Sequence, residues 1–273
     1  MTNKELLSLF GLKWNPFAFE LPKEALQSSK KIENFCFRVE TLLFEGGYAM
    51  ITGNPGTGKS VALRVLASRL QKLSEVKVGI LSRPQSGLSD FYREIGELFA
   101  TELKPSNRWG GYKGLRKKWI EHIQSTLFRP VLLIDEAQEM QSIVLNELRM
   151  LSSYELDSKT ILTIVFCGDG RLPEKFKSPD LIPLGSRIRV RLNQESATKE
   201  ELLQILKTSY ERAGNKNLMT DELADILCDH AAGNLRVLMN MAANLLSEGA
   251  QRKLDKLDEK LFFETFNIKP KKK

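Results

Sequence analysis

Eight consecutive residues, Gly53-Asn54-Pro55-Gly56-Thr57-Gly58-Lys59-Ser60, fit the spacing G-x-x-x-x-G-K-[ST] in full. Glycines at these positions let main-chain N–H groups turn inward around an anion, because no Cβ blocks the approach. An apolar run, Tyr48–Ile51, precedes the loop, and a helical pattern beginning at Val61 follows it. That helix start adds unpaired N–H groups and the positive end of a dipole. The chemistry is that of a triphosphate cradle: Gly53 through Val61 wrap the phosphates, Lys59 neutralises the β/γ pair, and Ser60 offers a hydroxyl to Mg2+.

A second constellation is Val131-Leu132-Leu133-Ile134-Asp135-Glu136-Ala137-Gln138. A four-residue apolar strand must be buried, so two adjacent carboxylates at its end need a reason. Downstream of a phosphate loop, Asp135 suits Mg2+ and Glu136 suits a base that polarises an attacking water. Acidic residues favoured by a helix dipole are the plainer alternative. Glu136 turns a nucleotide-binding reading into a hydrolytic one. His122 and His230, the sole histidines, lie far apart on helical patterns and predict neither a metal site nor a Ser-His-Asp apparatus.

The elements that must hold these groups alternate strand and helix. Ile32–Leu43 is helical in period, Val76–Leu81 a strand, Leu88–Phe99 a helix, and Leu115–Leu127 another. Lys104 to Gly111 reads as a loop. Ile161–Phe166 is a buried strand, and Arg187–Leu192 alternates as an edge strand does. Alternation of this kind predicts an α/β fold, a mainly parallel sheet flanked by helices. After Asn193 only helices follow, opened by the capping box Thr198-x-x-Glu201. We therefore expect an N-terminal extension over 1–35, a nucleotide-binding core over 36–193, a small all-helical domain over 194–266 and a basic tail over 267–273.

The 273 residues are 42% hydrophobic and 27% charged, ordinary for a globular chain and too apolar for a disordered one. No apolar stretch approaches the roughly 18 residues of a spanning helix, and the N-terminus lacks a secretion signal, so no membrane is expected. Cys36, Cys167 and Cys228 are odd in number and sit in apolar patterns, which predicts buried thiols in a reducing, cytoplasmic setting. Net charge is +7, yet Lys269, Lys271, Lys272 and Lys273 with the six cations between Lys104 and Lys118 exceed that surplus. A mildly acidic body with one local basic segment predicts a specific anionic partner, with a solvated helix face as the plain alternative.

Together the phosphate loop and the Val131–Glu136 strand resemble an AAA+ ATPase. Leu9–Phe17 (LFGLKWNPF), the DEAQ tetrad Asp135–Gln138, Gly168–Leu172 (GDGRL) and Ser186–Leu192 (SRIRVRL) further resemble the ExeA/TniB/TnsC group. That group holds transposition regulators of the TnsC, TniB and MuB type and ExeA-like ATPases of secretion-system assembly. The resemblance implies a slow, DNA- or partner-modulated ATP hydrolase, using Mg2+, with a helical lid after the core. It implies a homo-oligomer, ring or helical filament, on double-stranded target DNA that recruits a transposase, works with a target-selection protein and disassembles on hydrolysis. The alternative is an ATPase of secretion assembly.

Residue by residue, the resemblance places Asp169 in the sensor-1 region, where a carboxylate either binds metal-bound water or points away from the phosphates. Arg187 matches the arginine-finger region, with a solvent-facing strand residue as an equal alternative. Gly233-Asn234-Leu235-Arg236 resembles the sensor-2 motif, in which Arg236 touches phosphate. In TnsC-like proteins the segments matching Arg83, Gln85, Ser86, Lys104, Asn107, Arg108 and Lys113 track the DNA backbone, and these side-chain types suit phosphate oxygens. Gly110-Gly111 would let a loop approach the duplex. Trp109 is expected to pack against the adjacent helix rather than act as a wedge.

Overall fold

The computed structural model describes residues 2–18, 20–101, 107–155 and 158–266. Along the chain run α1 (Asn3–Leu9), α2 (Lys30–Glu45), β1 (Gly47–Gly53), α3 (Lys59–Leu70), β2 (Val78–Leu81), α4 (Leu88–Leu98), α5 (Arg108–Thr126) and β3 (Val131–Ile134). Then follow α6 (Ser142–Ser152), β4 (Ser153–Tyr154), β5 (Lys159–Thr160), β6 (Thr163–Gly168), α7 (Arg171–Lys175), α8 (Ile182–Gly185) and β7 (Ile188–Gln194). The chain closes with α9 (Lys199–Ala213), α10 (Asp221–Ala231), α11 (Leu235–Gln251) and α12 (Glu259–Thr265). The Lys104 site and the lysine tail expected from sequence lie outside the described residues.

Two compact units emerge. One comprises Ser28–Asn54 and Lys59–Gln194; the other comprises the first 27 residues, Pro55–Gly58 and the chain from Glu195 onward. In the first unit five parallel strands run in the order β2-β3-β6-β1-β7. Strands β3 and β6 are buried at every position because helices cover both faces. At the edge, β7 alternates buried Ile188, Val190 and Leu192 with exposed Arg189 and Arg191. One solvent-facing row of arginines also discourages pairing with another sheet edge. The core gathers Tyr48, Phe91, Ile95, Trp119, Leu132, Phe166 and their neighbours.

One expectation from sequence fails at the start of α5. Asn107 caps a helix, its side-chain oxygen accepting from Gly110 N at 2.8 Å, so Gly110-Gly111 belongs to the first turn of α5 and not to a loop. The inward face of α5 is Gly111, Leu115 and Trp119, one residue in four. Trp109 precedes Gly111 by two residues, about 200° around the helix. It therefore stands 63% exposed instead of packing inward, stacked on Tyr112 with ring centroids 5.6 Å apart.

In the helical unit, Leu202, Leu206, Leu223, Leu227, Leu238, Leu245 and Phe262 form the core, joined by Phe10, Leu12 and Phe17 from the chain's start. Lys13 N donates to Ala213 O at 2.7 Å, and Asn215 Nδ2 donates to Phe10 O at 2.9 Å, tying that segment to α9 and its exit. The capping box of α9 is complete, with Thr198 N to Glu201 at 2.9 Å and Glu201 N to Thr198 at 3.2 Å. A second box, Thr2 and Glu5, opens α1, a helix the sequence reading left out.

Candidate active site

Strand register sets the geometry. Ile134 pairs with Phe166, and Phe166 with Met50, so β3, β6 and β1 run out at one edge of the sheet, β6 two residues and β1 three residues beyond the level of Ile134. At that edge stand Asp135-Glu136 after β3, Cys167-Gly168 at the end of β6 with Asp169 after it, and Gly53 at the end of β1 with Asn54 after it. Parallel strands that end together direct their following loops to one side, where ligands of open α/β sheets bind. The same edge carries the end of β2, since Leu81 pairs with Ile134.

Lys59 opens α3 with 7% exposure, and its ammonium donates to Asn54 O at 3.1 Å. Ser60 is exposed and Asp135 half-buried. Both are hard oxygen donors of the kind Mg2+ takes, few enough that phosphates and water would complete its shell. Within the helical unit, Pro55–Gly58 meets the start of α11. Asn234 caps that helix, its Oδ1 accepting from Arg236 N at 3.0 Å and Val237 N at 3.2 Å, while its Nδ2 donates to Pro55 O at 3.2 Å. Gly56, at φ +86°, must be glycine twice over, because an added Cβ would sit 2.1 Å from Asn234 Oδ1. Arg236 is exposed at the second position of α11, with its main-chain N–H toward Gly56 O at 3.4 Å.

Glu136 is exposed and adopts a left-handed conformation, φ 50° and ψ 38°. That region is sparsely used by non-glycine residues and marks backbone held by its surroundings. Two hydrogen bonds hold it: Glu136 N donates to Asp135 Oδ1 at 2.9 Å, and Gln138 Nε2 donates to Glu136 Oε2 at 2.5 Å. Lys175 of α7 secures the turn from below by donating to Gln138 O at 2.9 Å and to Met140 O. Asp169 turns onto Arg171, with contacts of 2.8 to 3.1 Å from Nε and Nη2, and Arg171 also reaches Glu139 at 2.8 Å. Hydrogen bonding to that guanidinium holds the Asp169 carboxyl below the usual range. The Cys167 thiol is pushed far up by burial and then by the negative charge of Asp135, so it stays protonated.

Arg187 is not brought to this edge. Tyr48 pairs with Ile188, which places Arg187 beside the start of β1, six residues from Gly53 and about 20 Å along the strand. Its Nη1 lies 3.5 Å from Ser153 Oγ. Any action on a phosphate would have to be on a neighbouring copy.

Of the side chains expected to touch DNA, several are engaged within the protein. Arg108 pairs bidentately with the buried Glu147, which also accepts from Tyr92. Asn107 is spent on its cap, and Ser86 Oγ donates to Arg83 O at 2.7 Å, closing a turn. In the same segment Arg116 caps the carbonyl end of α6, at 3.2 Å from Met150 O and 3.0 Å from Leu151 O, and Lys118 donates to Ala100 O. Arg83 and Lys113 are exposed, Lys113 with its ammonium 4.7 Å from the Trp109 ring centre. Gln85 instead lines a cleft of about 570 Å3 with Leu81, Ser82, Pro84, Asp135, Glu136 and Glu139.

Residues 42–176 match the family model described as AAA domain. Aeropyrum pernix ORC2 (ADPNP-ADP complexes) has the same fold, with TM-score 0.74 at 14% identity over 93% of this chain and 70% of its own. The chain has a P-loop AAA+ fold. The Aeropyrum pernix ORC1 protein in complex with DNA superposes on the AAA+ chain at TM-score 0.65, 16% identity, 97% of this chain and 69% of that one. The Thermotoga maritima RuvB Holliday junction branch migration motor gives 0.59 at 17% identity, covering 90% and 73%. In sequence, General secretion pathway protein A of Aeromonas hydrophila is 31% identical over 186 residues, 67% of this chain. The match spans only 33% of that relative's own length.

Gln138 and Asn234 are the site residues that motif spacing missed. Each lay within a segment already singled out, DEAQ and GNLR, but nothing local told which backbone group its amide would reach.

Proposed function

We propose that this AAA+ domain hydrolyses ATP with Mg2+ and uses the cycle to assemble on and leave duplex DNA as a regulator of transposition. The observation that supports hydrolysis most directly is the carboxylate pair at the end of β3, at the same sheet edge as the end of β1 and separated from it by a single intervening strand. In this reading Gly53–Val61 bind the triphosphate, Ser60 and Asp135 hold Mg2+, and Glu136 takes the proton of the attacking water. Mg2+ would supply charge neutralisation at the β/γ-phosphates. Arg236 contacts phosphate from the same chain. Arg187 acts on the neighbour's nucleotide, which is why an oligomer is required. Asp169 anchors Arg171 and takes no direct part.

Duplex contact rests on Arg83 and Lys113 with the exposed Trp109, joined by Gln85 and Lys104. Without a base-reading module, binding would be sequence-independent and salt-sensitive. Recruitment of a transposase and a target-selection protein follows from the ExeA/TniB/TnsC resemblance. A second reading, an ATPase of secretion assembly, is favoured by the 31% identity to the Aeromonas protein. Among the described residues no helix is long and apolar enough to cross a membrane.

Glu136→Gln tests both halves. The variant should bind ATP normally, lose turnover by on the order of 100-fold or more, and dissociate from labelled duplex more slowly than the parent. Undiminished turnover would remove Glu136 as the base. Absence of any ATP-dependent duplex binding by the parent would favour the second reading.

A further inference from the structure

The residues at the end of β6 offer no uncommitted polar side chain. Cys167 is a buried neutral thiol, Gly168 has no side chain, and the Asp169 carboxylate is committed to Arg171. An amide nevertheless occupies that place, and it comes from the neighbouring strand's exit. Gln138 is 7% exposed, and both ends of its amide are used. Its Nε2 donates to Glu136 Oε2 at 2.5 Å, and its Oε1 accepts from Asp169 N at 3.2 Å. A buried amide with both groups satisfied has one orientation, so it fixes whatever it touches.

Gly168 supports this from the other side. A Cβ built there would fall 2.4 Å from Gln138 Oε1 and 3.0 Å from Leu172 Cδ2, so the space a side chain would need is filled by the Gln138 amide. Glycine at 168 and glutamine at 138 are thus two halves of one arrangement. We propose that Gln138 is a positioning residue for hydrolysis: it aims Glu136 and ties the aim of that carboxylate to the backbone at the end of β6. The inference rests on the hydrolytic reading of Glu136 given above. A shift of the β6 end on nucleotide binding would be transmitted to the base through one side chain, with no hinge needed.

Three variants test it by steady-state ATP hydrolysis and by equilibrium binding of a fluorescent ATP analogue. Gln138→Ala removes the link. Gln138→Glu keeps its size and its acceptor toward Asp169 N but removes the donor and faces Glu136 with a like charge. Gly168→Ala leaves Gln138 in the sequence, pressing most closely on the flexible end of its side chain and more lightly on Leu172. In all three, kcat should fall on the order of 10- to 100-fold, as for a misplaced catalytic group, while KM and analogue affinity stay within about two-fold. Unchanged or raised kcat in Gln138→Glu would overturn the assignment. So would parallel loss of rate and affinity in Gly168→Ala, which would show a merely structural role. If Glu136→Gln itself hydrolyses ATP normally, the hydrolytic reading fails first; if it is inactive while the Gln138 variants are normal, only the positioning role is lost.

Discussion

Arg108 offers a clean contrast between a cation that builds the fold and one that binds a ligand. Its side chain is 58% exposed, but that of its partner Glu147 is only 6% exposed and has Tyr92 as its other donor. Removing one partner of a fully buried pair costs about 3–5 kcal/mol. Here the arginine side faces water, so solvent screens the pair and can enter when the side chain is cut back. Tyr92 still donates to the carboxylate as well. The appropriate scale is then that of hydrogen bonds to a charged group, about 1.5–3 kcal/mol. Arg108→Ala should therefore lower the melting temperature of the α/β unit by roughly 3–12 °C, at about 2–4 °C per kcal/mol for a unit of this size. Glu147→Gln, which keeps an acceptor, should cost less, and the double variant less than the sum of the singles. Thermal denaturation followed by near-ultraviolet circular dichroism reads this directly. Duplex affinity and its salt dependence, measured below the transition, should change little. An Arg108→Ala protein that melts with the parent yet binds duplex with a shallower salt slope would refute the reasoning and return Arg108 to the DNA surface.

Lys113→Ala should show the opposite pattern, with an unchanged melting temperature and a salt slope of log K reduced by about 1, checked by anisotropy titrations across ionic strengths. Gly56→Ala combines a left-handed backbone penalty of about 1–2 kcal/mol with displacement of a helix cap worth about 1 kcal/mol. Urea unfolding should register a loss of roughly 2–3 kcal/mol, against about 1 for Asn234→Ala; equal losses would remove the steric argument. The three cysteines are free and buried, and burial pushes Cys36 and Cys228 up to about 11 from 9.0. A thiol-specific chromogenic reagent at pH 8 should find no reactive group in the folded protein and all three in denaturant. Because the folded values are raised, the stabilisation they confer is present below pH 9 and is lost as pH climbs from 9 to 11. A flat stability profile over that interval would contradict it.

Much of the candidate site was legible in one dimension. The phosphate loop, the apolar strand ending in two carboxylates, the edge strand with its alternating arginines and the capped helices after Asn193 are all local. Each is a short stretch whose own backbone freedom, periodicity or capping side chain dictates its form. The α5 start was readable too, since Asn107 is a good cap, but the glycine pair and the preceding proline pulled the reading toward a loop. Once the helix begins at Arg108, helical geometry alone turns Trp109 to solvent.

Charge shows where local reasoning stops. Six cations between Lys104 and Lys118 look alike in the chain. Tertiary packing gives Arg108 a buried carboxylate 39 residues away, Arg116 the end of α6, and Lys118 the carbonyl of Ala100, leaving Lys113 at the surface against Trp109 and Lys117 at the surface beside Glu121. Gln138 follows the same logic, reaching a backbone N–H 31 residues downstream. Sequence by itself determined which residues could do phosphate chemistry, because that ability resides in side-chain type and in the backbone freedom of a few neighbours. Only the folded chain decided which polar groups are already satisfied, because hydrogen-bond and ion-pair partners are set by strand order and helix packing, and these juxtapose positions that no local pattern connects.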